Sequence, residues 1–443
     1  MMEEMTVNKR RSRAYGLLIF ASIFMYIAIT TAKNLYTAEK TTLYSLGIFG
    51  NLTSLASTME YYFYTYAVMQ FALIFFVKRI NIKWFLTTTL SLSAVLILIM
   101  PFTDSITQHY ILFGINGVLQ AGLWGCLLKV LSTHLPSRLL PFANQIMSAG
   151  PAVAGALAYG VAALFGENWK IPFMLMGIIS LSSVLIYCIA VSYVEKFPKE
   201  AEVHHVVLSD GAEADVDGEE DNDFIGLNSK KRVAIFFAAS MVMGFLFTSL
   251  YFMVNNNLDM YLKEIGGFSN SIAKTLTIFA PVCAVVGPLM TVRSCERHKN
   301  FIAVAAFYFG VALLSMLMMI LVFDKSVSVS LALLVLFLVF VNGGRSVTLS
   351  IASLKMRKKI DTGVYSTAVN AVSSIASGIS PKFIAMILDN ESYSLTESWR
   401  LSFLIIFAFI FASVALLGVF IFLIKRLNKK DKAALEKSNA LSA

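Results

Sequence analysis

The chain has 443 residues, of which 57% are hydrophobic and 14% charged, with a mean hydropathy of +0.72. Such a composition excludes an ordinary soluble globular domain and makes the lipid bilayer the main solvent. The formal net charge of +9 does not mark a nucleic-acid binder, because the basic residues fall in short clusters between apolar stretches and not along one face.

In chain order, Lys9, Arg10, Arg11 and Arg13 precede a long apolar run with no small-residue cleavage site behind it, so the first span is expected to be retained. Apolar segments then recur at 14–36, 52–76, 84–102, 108–130, 140–165 and 171–194, and again at 233–262, 270–292, 300–323, 328–353, 362–388 and 400–424. Each is close to the roughly 20 residues that cross a hydrocarbon core of about 30 Å, where only a helix satisfies its own backbone. The sequence therefore predicts an all-α integral membrane protein of twelve helices in two six-helix bundles, 1–194 and 233–424. Between them, 195–232 carries Asp210, Glu213, Asp215, Asp217, Glu219, Glu220, Asp221 and Asp223 and reads as a cytoplasmic acidic linker. A basic tail, 425–443, follows the last span. Lysine and arginine crowd on the side that bears both termini. Only Lys40, Lys170, Lys263, Lys274, Lys325 and Arg400 fall on the other side, which predicts cytoplasmic termini in a plasma membrane protein.

An internal repeat supports the division. An offset of 226 carries Asn116-Gly117 to Asn342-Gly343, Lys129 to Lys355 and Asn144 to Asn370. Trp169-Lys170 with Phe173 is echoed by Trp399-Arg400 with Phe403, an aromatic-basic entry suited to a membrane interface. Basic turns follow spans 2 and 8: Lys78-Arg79-Ile80-Asn81-Ile82-Lys83, and Cys295-Glu296-Arg297-His298-Lys299. With this layout the chain resembles the major facilitator superfamily over essentially its whole length. Within it the chain looks most like the organophosphate:phosphate antiporter branch, through Lys33-Asn34, Tyr66 with Gln70, and Tyr261-Leu262-Lys263-Glu264. That branch grips phosphate with arginines in spans 1 and 7. The matching positions here read Ala32 and Tyr251, and Gln70 stands where a lysine is expected. The resemblance thus implies the fold, a small-molecule substrate and a monomer, and leaves the substrate to the residues of this chain.

Ionisable side chains inside spans cost about 2.5–3.5 kcal/mol each on insertion scales, so each is expected to face a cavity or a partner. Lys33, late in span 1, is read as a cation on the substrate path, with snorkelling to the headgroups as the alternative. Arg345, within Asn342-Gly343-Gly344-Arg345-Ser346, is read as a bidentate anion ligand, with an internal carboxylate pair as the alternative. On span 2 the helical period places Tyr62, Tyr66 and Gln70 on one stripe and Glu60 with Tyr64 on another. Glu60 is then a pair for Lys33 or a protonatable coupling group, with a carboxyl hydrogen-bonded by a tyrosine that keeps the bundle in register as the alternative. Asp259 lies 226 residues beyond Lys33, which predicts a gating ion pair between them; a surface carboxylate is the alternative. Asn116, Gln120 and Trp124 share a face of span 4, and Asn144, Asn370 and Tyr251 complete the substrate-binding candidates. Small residues around Pro151 in span 5, and from Ser373 to Pro381 in span 11, are read as close-packing and hinge positions.

Phosphate-binding loops of the Gly-x-x-x-x-Gly-Lys-Ser/Thr form, nucleophile elbows and metal-ligand spacing of His and Cys are all absent from the sequence, so no enzyme activity, cofactor or metal is expected. Cys126, Cys188, Cys283 and Cys295 read as free thiols. The functional expectation is a secondary transporter of a small anionic or zwitterionic organic solute, working by alternating access and coupled to a proton or a counter-anion. Proton-driven efflux of an apolar or cationic compound, and a non-transporting sensor signalling through the linker, are the alternatives.

Overall fold

The computed structural model describes residues 2–76, 79–136, 138–197, 230–298, 301–346 and 362–442. The predicted linker lies almost wholly outside the described residues, as does the end of the predicted tenth span. All regular structure among the described residues is helical. Among the described residues, ten helices are long and apolar enough to cross a bilayer on their own. Leu52–Phe76, diluted by tyrosines and Glu60, and Leu140–Phe165, diluted by small and polar residues, complete the twelve expected spans.

Local chemistry sets several helix ends. Asn81, Ser105 and Ser269 accept bonds from the first-turn amides of Trp84, Thr107 and Ile272 and so start spans 3, 4 and 8. Span 5 stops at Gly166, whose φ of 60° suits a residue without Cβ. Three spans are interrupted. Span 4 consists of Ile106–Gln120 and Leu123–His134, span 7 of Lys230–Asn255 and Leu258–Glu264, and span 8 of Asn270–Thr277 and Phe279–His298. At membrane depth such breaks are tolerated only where protein or a cavity satisfies the freed backbone.

The first and last spans run longer than predicted. Span 1 continues to Ser45 instead of ending at 36, because nothing between Thr37 and Ser45 breaks a helix. Span 12 and the basic tail form one helix, Leu395–Ser442.

Within the first half, span 1 packs on spans 5 and 6, span 2 on span 4, and span 3 on span 6. In the second, span 10 packs on spans 8 and 9, span 11 on span 7, and span 9 on span 12. The halves meet along two seams, span 2 against span 11 and span 5 against span 8. Small residues permit that approach: a Cβ on Gly378 would lie 3.1 Å from Glu60 Cα, and one on Gly155 3.1 Å from Pro281. Large apolar side chains such as Val68, Phe75, Leu164, Ile189, Phe307 and Phe422 remain exposed around the bundle, as hydrocarbon solvent requires.

The repeat is also a repeat of contacts. A Cβ on Gly117 would meet Thr65 Oγ1 at 2.3 Å and Tyr62 O at 2.2 Å, while one on Gly343 would meet Thr291 Oγ1 at 2.6 Å. The offset of 226 carries Thr65 to Thr291 as it carries Gly117 to Gly343. Each half therefore uses the same glycine-threonine approach, span 4 on span 2 and span 10 on span 8. Gly117→Ala is expected to lose about 1–3 kcal/mol by overpacking against backbone, read as a lowered thermal midpoint in detergent. Gly125→Ala, which meets nothing within 4 Å, should leave the midpoint unchanged.

Candidate functional site

Between the halves lies a cavity of about 800 Å³, the size of a small-molecule site. Spans 1, 2, 4 and 5 contribute one side of its wall, and spans 7, 8, 10 and 11 the other. Lys33, Tyr66, Gln120, Trp124, Tyr251, Asn342, Arg345 and Asn370 line it. No described carboxylate does. Lys33 has no hydrogen bond or ion pair among the described residues; its Nζ lies 5.4 Å from the centre of the Tyr62 ring and 5.5 Å from that of Phe63. The Arg345 guanidinium stands 6.0 Å from the centre of the Tyr251 ring.

Other predicted residues fall behind the wall. Asn116 is buried inside the first half, where its Oδ1 accepts from Ser93 Oγ at 2.6 Å and from Gln120 Nε2 at 3.1 Å. It orients Gln120, which in turn accepts from Tyr62 at 2.8 Å. Gln70 is likewise a cross-link: it donates to Tyr66 Oη at 3.1 Å and accepts from Asn370 Nδ2 across the seam at 3.1 Å. Helical period placed Asn116 and Gln70 on the right stripes, but neighbouring helices cover them. The side chain of Asn144 lies outside the described residues.

Glu60 does not pair with Lys33. Its Oε2 accepts from Lys382 Nζ of span 11 at 2.7 Å and its Oε1 from Tyr64 Oη at 2.6 Å, on the seam and not on the cavity wall. Nor does Asp259 pair with Lys33. Asp259 is fully buried and accepts from Thr41 Oγ1 at 2.5 Å. The extra turns of span 1 carry residues 37–45 over the cavity, so that Lys40 and Thr41, and not Lys33, reach the second half.

Those extra turns build a polar seal at the end remote from the termini. Glu39 and Lys274 form an ion pair at 2.6 Å with both side chains at 0% exposure. Lys40 Nζ donates to Asn256 O at 2.6 Å and to Asn257 Oδ1 at 2.7 Å. The break in span 7 frees that carbonyl, which explains why a helix is interrupted there. Asn270 Nδ2 donates to Thr42 Oγ1 at 2.9 Å. Asp389, past the end of span 11, accepts the amides of Leu52 and Thr53 at 3.0 and 2.6 Å, so the first turn of span 2 takes part of its cap from the opposite half. Every one of these contacts joins one half to the other.

The sequence places Lys40 and Lys274 on the side away from the termini and gives Glu39 no role. The unbroken run from Thr37 to Ser45 was the available signal. A buried pair is costly to break from one side, on the order of 3–5 kcal/mol. In a background freed of the native cysteines and carrying Met59→Cys as a cavity probe, Lys274→Met is expected to speed labelling by an impermeant maleimide from the end remote from the termini. Glu39→Gln combined with Lys274→Met should return the rate toward that of the parent. An unchanged rate in Lys274→Met would show that this pair does not hold the end shut.

A bacterial homologue of the human lysosomal transporter Spinster, solved in an inward-facing, unoccupied conformation, superposes with a TM-score of 0.66 at 14% identity, covering 95% of this chain and 98% of that one. The nucleoside transporter NupG superposes with a TM-score of 0.61 at 14% identity, over 92% and 98% of the two chains. At such identities the likeness is one of fold. No curated protein matches the sequence. The sequence model of the Major Facilitator Superfamily matches residues 14–381. With twelve spans, two halves related by a repeat and a cavity between them, the chain belongs to the major facilitator superfamily of membrane transporters.

Proposed function

We propose that this protein is a secondary transporter that moves a small organic anion, or a zwitterion presenting an anionic group, across the plasma membrane by alternating access. The observation that carries the reading is the cavity's charge: Lys33 from one half and Arg345 from the other line it, and no described carboxylate does. A cation in low dielectric attracts an anion far more strongly than in water, and a guanidinium can hold a carboxylate or phosphate with two parallel bonds. Because the two cations belong to different halves, an anion between them favours a state in which both halves are drawn onto it.

Arg345 covers the ring of Tyr251, the position at which the organophosphate branch carries an arginine. The span 10 guanidinium thus brings positive charge to the neighbourhood of the missing one, which favours an anion without requiring a phosphate ester. The basic bias toward the termini supports a cytoplasmic location for both, and the polar seal is then the external gate in its closed state. Glu60, held by Lys382 and Tyr64, belongs to the sliding seam between spans 2 and 11, where a proton or the exchange of a counter-anion would supply coupling. A second reading, efflux of an apolar or cationic compound, draws on the aromatic wall of Tyr26, Tyr62, Trp124 and Tyr251 but places two cations in the path.

The test is uptake of labelled carboxylates and phosphates into proteoliposomes. Arg345→Gln and Lys33→Gln are each expected to lower uptake of the transported anion by about 10- to 100-fold, the worth of a charged hydrogen bond. Arg345→Lys should not restore it fully, since an ammonium lacks the planar fork. Anion transport unaffected by Arg345→Gln would overturn the reading.

A further inference from the structure

The two cations account for one end of a solute and leave much of the span 1 wall unexplained. Tyr26, Thr30, Asn34 and Thr37 recur with Lys33 at helical spacing, so they form one stripe, and all of them line the cavity. Tyr26, Thr30 and Thr37 are more than nine-tenths buried. None of these four side chains makes a hydrogen bond to a described residue, yet none has a polar atom sealed in the protein interior. Their hydroxyl and amide groups therefore open on the cavity.

Elsewhere on the wall the amides are committed: Gln120 to Tyr62 and Ser93, Asn255 to Tyr251 and Asn256. The contrast points to a ligand. Shutting a polar group away from bulk water is costly unless something bonds to it, and this stripe offers three hydroxyls and an amide to whatever enters. A site that bonds substrate hydroxyls rejects an analogue without them, because its own groups are then left unmatched.

We propose that the solute is a small organic anion whose body carries several hydroxyl groups, in the manner of a sugar acid. The span 1 stripe reads the hydroxyls, the rings of Tyr62 and Trp124 cover its C–H faces, and Lys33 with Arg345 takes the anionic group, a carboxylate or a phosphate. This rests on the anion reading above and specifies the part of the solute which that reading leaves open.

Calorimetric titration of the purified full-length protein with four matched probes tests it: gluconate, sorbitol 6-phosphate, hexanoate and sorbitol. Gluconate or sorbitol 6-phosphate is expected to bind at least about tenfold more tightly than hexanoate and sorbitol, two or more extra hydrogen bonds being worth that factor. The tighter of the first two identifies the anionic group. Thr30→Val with Asn34→Leu is expected to narrow the preference over hexanoate about tenfold; should that variant fail to fold, the probe comparison on the parent protein decides alone. Hexanoate binding as tightly as the tighter of gluconate and sorbitol 6-phosphate, and weakened by Arg345→Gln, would overturn the hydroxyl assignment while sparing the anion reading. Sorbitol binding as tightly as the tighter of gluconate and sorbitol 6-phosphate would overturn the anion reading and this proposal with it. Binding of none of the four overturns the proposal.

Discussion

Charge sealed from water at the joint between two halves is the constraint on which the rest of this structure depends. Glu39 and Lys274 come from opposite halves and meet with neither side chain exposed. The desolvation of each ion is offset only while the other is in place, so a partly opened contact is worse than a closed or a fully hydrated one. Such a joint favours two discrete states over a continuum. Around it the bonds of Lys40 to span 7, of Thr41 to Asp259 and of Asp389 to the start of span 2 all fail or hold together, because each crosses the same divide.

The seal also explains the cavity. Two bundles held together at one end and along two seams, span 2 with span 11 and span 5 with span 8, leave a space between them lined from Thr37 and Asn256 beneath the seal to Ile146, Leu289 and Ser346 toward the termini. The seams close because glycines allow backbones to touch, and a glycine-threonine contact is repeated inside each half. In that space a lysine and an arginine can retain their charge at a membrane depth that would otherwise expel them. Carboxylates instead lie in the seal and in the seam, each beside a hydroxyl or an ammonium. The cations of the cavity and the charges that join the halves are thereby kept apart.

The same segregation shows what one-dimensional reading misses. Equal spacing in the repeat suggested that Lys33 faces Asp259, but the repeat relates positions within folds, not the lengths of their helices. Span 1 runs on to Ser45, and those turns interpose Lys40 and Thr41. The distribution of basic residues places Lys40 and Lys274 on the side away from the termini, but does not show that each is buried by the opposite half, Lys40 by span 7 and Lys274 by spans 1 and 5. Helical period sorted Tyr62 and Tyr66 from Glu60 and Tyr64, yet it could not tell that Gln70 and Asn116 would be spent on cross-links before reaching the cavity.

What the sequence by itself determined was the solvent, the class of structure and the family: apolar runs of bilayer length oblige a chain to form helices, and their repeat at an offset of 226 obliges two like halves. Tertiary structure alone decided which polar groups face one another. Lys33 and Lys40 are seven residues apart on one helix, with the same side chain and the same helical face; one opens on the cavity and the other is bonded to the opposite half. The difference is made by the broken helix of the opposite half, whose freed carbonyl at Asn256 receives Lys40. Periodicity specifies a face within one helix, but desolvation is settled only by what the other half places against it.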